Sequence, residues 1–123
     1  DYNAAYAALE QKNYVTAGQL FQKFAQNYPT DSRAGTAVYW WGETAYVQLD
    51  FTSAATIYMD GYQKYPQSPK APDMLLKAGL SLANLGKTKE ACTAFTMLAS
   101  QYPNASGVVT RRAASERSRL NCR

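Results

Sequence analysis

A chain of 123 residues, 46% hydrophobic and 18% charged, can build one domain around one core, and it contains no run of about 18 apolar residues that could span a membrane. There is no histidine, which removes the commonest general base and metal ligand. The net charge of +4 resides in residues 111–123, where Arg111, Arg112, Arg117, Arg119 and Arg123 stand against Glu116; the rest of the chain is balanced, which argues against a diffuse nucleic-acid footprint.

The chain opens at Asp1 inside a stretch that reads as helix, which suggests a processed or truncated chain; no signal peptide is visible. Tyr28-Pro29, Tyr65-Pro66 and Tyr102-Pro103 then recur at a step of 37 residues. The same step relates Ala17, Ala54 and Ala91, relates Phe21, Tyr58 and Phe95, and relates Gly42 and Gly79. Each unit reads as a helical hairpin. The first covers about 1–30, with Ala5 where a later unit has glycine. The second covers about 34–67, with Gly42 in its first helix and Ala54, Tyr58 and Gly61 in its second.

The third unit covers about 70–104, and Ser68-Pro69 ahead of it reads as an N-cap followed by proline at the first helical position. Leu75, Ala78, Gly79 and Leu82 then fall on one helical face. Leu85-Gly86-Lys87-Thr88 breaks that helix: glycine suits a left-handed stop, and Thr88 an N-cap. The small residues predict close approach of the two helices within a hairpin, and the large column Phe21, Tyr58, Phe95 is expected to fill the space between hairpins. A last helix spans about 106–121, with Val109, Ala113 and Leu120 inward and the arginines outward. A polar outer face is what a repeat array needs at its end. The expected architecture is all-α: three hairpins plus a capping helix in one superhelical domain.

Cys92 and Cys122 are the two cysteines. Antiparallel pairing of the last two helices sets Cys92 opposite Arg117 or Ser118, about one turn from Cys122. A small bend after Leu120 would bring the pair into disulfide range. One packed thiol and one frayed terminal thiol is the other reading. Two sulfurs without histidine make a poor metal site, and no cofactor is expected. No phosphate loop, nucleophile elbow or paired-carboxylate motif appears. Glu43 and Asp73 read as solvated or salt-bridged groups, so the chain is not expected to be an enzyme.

The small-residue, aromatic and closing-proline columns resemble the tetratricopeptide repeat. Within it, Asp1-Tyr2-Asn3-Ala4-Ala5-Tyr6, Tyr39-Trp40-Trp41-Gly42-Glu43 and Ser68-Pro69-Lys70-Ala71-Pro72-Asp73 resemble the C-terminal domain of the CpoB (YbgF) family of periplasmic cell division coordinators. That resemblance implies a Tol-Pal-associated scaffold that binds TolA and helps coordinate peptidoglycan synthesis with outer-membrane constriction. It implies a parent protein with a cleaved signal peptide and a trimerising coiled coil, and possible contact with the peptidoglycan synthesis machinery. The tetratricopeptide register implies an inner groove lined by Tyr2, Tyr6, Leu9 and Glu10; by Thr36, Tyr39, Glu43, Tyr46 and Val47 with Trp40 at the rim; by Asp73, Leu76, Leu80, Ala83 and Asn84 with Lys77 adjacent; and by Arg117. Tyrosine, tryptophan and arginine are enriched at binding hot spots, and such a groove suits an amphipathic helix or an extended segment. Direct membrane insertion is not expected. The alternatives are a repeat component of outer-membrane protein assembly, a cytosolic chaperone adaptor, and a nucleic-acid binder working through the arginine-rich last helix.

Overall fold

The computed structural model describes residues 1–122. Among them are seven α-helices and no strand: α1 Tyr2–Glu10, α2 Tyr14–Asn27, α3 Ala34–Val47, α4 Phe51–Lys64, α5 Ala71–Asn84, α6 Thr88–Gln101 and α7 Gly107–Arg119. Two 14-residue helices, a three-residue link and a six-residue link make up the 37-residue step. Arg123 lies outside the described residues. No helix among the described residues is long and apolar enough to cross a membrane.

The short links share one design. Lys12, Leu49 and Gly86, each 37 residues apart, all have positive φ, at 61°, 63° and 76°. Around Leu49, the Asp50 amide donates to the Ala45 carbonyl and the Leu49 amide to the Tyr46 carbonyl, both at 2.9 Å. These crossed bonds are a Schellman stop, which satisfies carbonyls orphaned at a helix end. Asn13, Asp50 and Lys87, which complete the three stops, also serve as N-caps of the following helices. The N-cap of α6 is therefore Lys87 and not Thr88, because the stop at Gly86 fixes where the next helix can start. Asp50 alone among the three adds a side-chain cap, accepting from the Ser53 amide at 3.3 Å.

The long links follow the Tyr-Pro pairs. Tyr28, Tyr65 and Tyr102 are C-caps with φ near −127°, held extended by the proline that follows. Their rings explain the repeat of the tyrosine itself. The Tyr65 hydroxyl donates to the Pro29 carbonyl at 2.9 Å, and the Tyr102 hydroxyl to the Pro66 carbonyl at 2.8 Å. Each link is thus tied to the one before it. A second expected cap moves. Ser68 does not cap a helix; its hydroxyl accepts from the Lys70 amide at 3.2 Å within the link. The helix starts at Ala71, capped by Lys70, with Pro72 in the first turn where its missing N–H costs nothing. Asp1 is likewise not inside a helix: its carboxylate accepts from the Ala4 amide at 2.7 Å and caps α1.

The core runs the length of the array. Phe21, Tyr58 and Phe95 are fully buried, and the Tyr58 and Phe95 rings press on the first helix of their own hairpin. A Cβ at Gly42 would come within 2.5 Å of the Tyr58 ring, and one at Gly79 within 2.4 Å of the Phe95 ring. The glycines therefore make room for a ring lying flat across the partner helix. Gly61 serves both kinds of contact: a Cβ there would meet Val38 of its own hairpin at 2.5 Å and the Met74 sulfur of the next hairpin at 2.6 Å. Val109 and Ala113 of α7 and half-buried Leu120, its C-cap, close the core.

Candidate protein-binding groove

Successive first helices touch, α3 against α5 and α5 against α7, whereas no pair of second helices packs comparably among the described residues. The first helices therefore lie on the inside of the curve and the second helices splay outward. This places the expected groove face on the inner side.

Glu43 stands at its centre. The Tyr58 ring lies across Gly42, so its hydroxyl emerges beside the next residue and donates to the Glu43 carboxylate at 2.5 Å. Lys77 reaches from α5 to the same carboxylate at 3.3 Å, both side chains about one-quarter exposed. The Lys77 ammonium also sits 4.3 Å from the centre of the Tyr46 ring. Burial, then the neighbouring carboxylates, push the Tyr39 and Tyr58 hydroxyls well above the usual phenol range. Both stay protonated and able to donate throughout the working pH range.

Aromatic rings continue the face. Trp40 stands edge-on to Tyr6 of α1 at 5.8 Å and to Tyr39 at 5.2 Å. Lys70, from the link before α5, lies 4.9 Å above the Tyr39 ring and 5.8 Å above Trp40. Trp40, expected at the rim, is thus inside the cluster. Asp73 is half-buried; burial raises its pKa, against the opposing pull of Lys70. Tyr6, Trp40, Tyr39, Tyr46, Glu43, Asp73 and Lys77 form one continuous patch over α1, α3 and α5.

The other expected lining residues lie differently. Leu76 and Leu80 are 8% and 5% exposed and belong to the core, so they can form only the floor. Tyr2 packs its ring edge-on against Phe21 and Phe24, with the Arg33 guanidinium 5.1 Å above it. It serves the first hairpin's packing more than the open face. Thr36 is half-buried, and Asn84 is exposed with its amide donating to the Leu80 carbonyl at 2.9 Å. Arg117, expected to point outward with its neighbours or into the groove, is half-buried, and its Nε has no hydrogen-bond partner among the described residues.

Two contributors escape the helical register. Tyr58 comes from the second helix, and Lys70 from a link. The signal for Tyr58 is in its column: Phe21 and Phe95 lack the hydroxyl that Tyr58 carries opposite Glu43.

Cys92 and Cys122 are bridged, with Cα atoms 5.4 Å apart. The bend needed to join them is another Schellman stop: Asn121 has φ 57°, and the Cys122 amide donates to the Arg117 carbonyl at 2.9 Å. The bridge pins the end of α7 to the start of α6. On α7, Glu116 is buried between Arg112 at 3.3 Å and Arg119 at 2.7 Å. Burial pushes its carboxyl up, but the two guanidinium groups outweigh this and hold it below the usual range. Two of the arginines that suggested a nucleic-acid surface are thus engaged within their own helix.

Two curated relatives, both named Cell division coordinator CpoB, come from Pseudomonas putida and its strain KT2440. Each is 43% identical to this chain over 42 residues, a segment covering 34% of this chain and 16% of the relative. The tetratricopeptide repeat profile matches residues 1–31 and 73–105, and the hairpin between these segments repeats the same packing columns. With the hairpin architecture described above, these matches place the chain in the tetratricopeptide repeat family.

Proposed function

We propose that this chain is a protein-interaction scaffold that grips a segment of another protein along the inner face of its first helices. The patch of Tyr6, Trp40, Tyr39 and Tyr46 around the Glu43–Lys77 pair carries this reading. Rigid aromatic side chains give contact area at low entropic cost, and a partly exposed ion pair can exchange one partner for a group on a ligand. The likeness to the CpoB relatives supports an envelope role: a periplasmic location, TolA as the partner, and a contribution to coordinating peptidoglycan synthesis with outer-membrane constriction in cell division. The part played by the disulfide fits an oxidising compartment.

The test is calorimetric titration with purified TolA fragments. Tyr6→Ala combined with Lys77→Ala removes exposed and half-exposed groups and leaves the buried Tyr39 in place. We expect saturable binding that this variant weakens at least tenfold at unchanged helicity. Absence of binding to every TolA fragment, at low and moderate salt, overturns the partner assignment.

A further inference from the structure

Both junctions between hairpins are tied by polar side chains. At the first, the Tyr65 hydroxyl donates to the Pro29 carbonyl. At the second, Tyr102 donates to the Pro66 carbonyl, Tyr62 reaches Gln101, and Lys77 pairs with Glu43. The junction with α7 has no such tie. Among the described residues, the polar side-chain contacts of α7 stay within the helix and its Ser106 cap. The covalent bridge from Cys122 to Cys92 stands in their place. We propose that this bridge is a redox latch: a dithiol reductant opens it and releases α7 while the three hairpins stay folded.

Without the bridge α7 is weakly seated. Its buried apolar side chains are Val109 and Ala113, with Leu120 half-buried beyond them, whereas α5 buries Met74, Leu75, Leu76 and Leu80. Its third buried residue is Glu116, whose partners Arg112 and Arg119 lie on α7 itself. Those pairs steady the helix but do not hold it to the array. Docking also buries the Arg117 Nε without a hydrogen-bond partner among the described residues, which opposes it. Nor does α7 stand alone as a helix. Gly107, Val108, Val109 and Thr110 open it, Ser115 and Ser118 follow, and all are weak helix formers. A helix of 13 residues with that composition is marginal in water once undocked. The bridge compensates by closing a separation of 30 residues, which restricts the undocked chain.

The bridge is open to exchange, since both cysteines are half-buried and neither is sealed in the core. Cys92 lies within α6, and Cys122 lies past the end of α7. One thiolate of the dithiol attacks the Cys122 sulfur. The bond between the two cysteines breaks, and its electron pair leaves on the Cys92 sulfur, which takes up a proton. The second thiolate of the dithiol then attacks the mixed disulfide and expels Cys122, which is protonated in turn. The protein gains two electrons and two protons, and the dithiol departs as a disulfide. Release of α7 bares the α5 surface that it touches and removes the last first-helix wall of the inner groove. The patch of Tyr6, Trp40, Glu43 and Lys77 lies on α1, α3 and α5 and is left in place. The latch stands on the packing of α7 and does not depend on which partner the groove takes.

The test is amide hydrogen exchange on the whole chain, oxidised and then treated with dithiothreitol without denaturant. Reduction should cost the amides of residues 109–120 roughly a hundredfold in protection, while those of α2 to α5 keep theirs. Reoxidation should restore the lost protection. Cys92→Ser combined with Cys122→Ser should match the reduced protein with no reductant present, which separates the bridge from any other action of dithiothreitol. Equal protection of α7 with the bridge closed and open, or in the double variant, overturns the proposal. So does loss of protection throughout the array, which would make the bridge a staple of the whole fold. So does a bridge that dithiothreitol opens only in denaturant.

Discussion

The middle hairpin and the third share a backbone and differ in what is mounted on it. In α3–α4 the Tyr58 ring lies across Gly42; in α5–α6 the Phe95 ring lies across Gly79. The two clashes a Cβ would create differ by 0.1 Å, so the rings occupy equivalent places. Beyond the rings the likeness ends. Tyr58 carries a hydroxyl bonded to Glu43, whereas one 37-residue step from Glu43 stands buried Leu80. Shape is repeated because every hairpin must close its core. The polar atom appears only where a partner exists for it, since a buried hydroxyl without one is costly. Packing and binding are therefore written on separable positions of one repeat.

The strongest way to break this comparison is to remove each ring. Tyr58→Ala and Phe95→Ala should each cost about 3–5 kcal/mol, measured by denaturant unfolding, because both rings are fully buried. The two losses should agree within about 1 kcal/mol, less the hydroxyl's own contribution. A markedly smaller loss at Phe95 would mean that α7 and the bridge, and not the ring, hold the third hairpin together.

Exchanging the hydroxyl is a finer cut. Phe95→Tyr should cost about 1–3 kcal/mol, because it places a donor among apolar groups at the Leu80 end. Tyr58→Phe should cost about 1–2 kcal/mol, since Lys77 and water still reach Glu43. In a double-mutant cycle, Tyr58→Phe should lose most of its effect in a Glu43→Gln background. An unaltered effect there would separate the hydroxyl from the carboxylate and leave Glu43 to Lys77 alone.

The packing columns were legible because they repeat: Gly42 with Gly79 and Tyr58 with Phe95 stand in one register, and a core that recurs leaves a periodic trace. Helix starts were less so. Ser68 and Thr88 have strong local N-cap preferences, but the Tyr-Pro link and the left-handed stop decide where α5 and α6 begin. Register gave the direction of Leu76 and Leu80 but not their depth, which depends on neighbours from other helices. Lys70 over Tyr39 and Trp40 was hidden because a link residue has no helical phase. The loose seat of α7 needed the contrast with the tied junctions, and that has meaning only once links and helices are set side by side.

The smallest effect tests the turns. Leu49 and Gly86 hold the same left-handed position one step apart, yet only one is glycine. A side chain at positive φ costs roughly 1–2 kcal/mol, and glycine returns part of that through its freedom in the unfolded chain. Leu49 is 72% exposed, so its removal loses little burial. At Gly86 nothing lies within 4 Å of an added Cβ, so a substitution there reads backbone strain alone. Leu49→Gly should therefore stabilise the protein by about 0.5–1 kcal/mol, and Gly86→Leu should destabilise it by a similar amount. Paired thermal melts would show opposite shifts of a few degrees. If Leu49→Gly instead destabilises the fold, the exposed leucine is held by contacts along the hairpin edge, and the two turns are equivalent in backbone only.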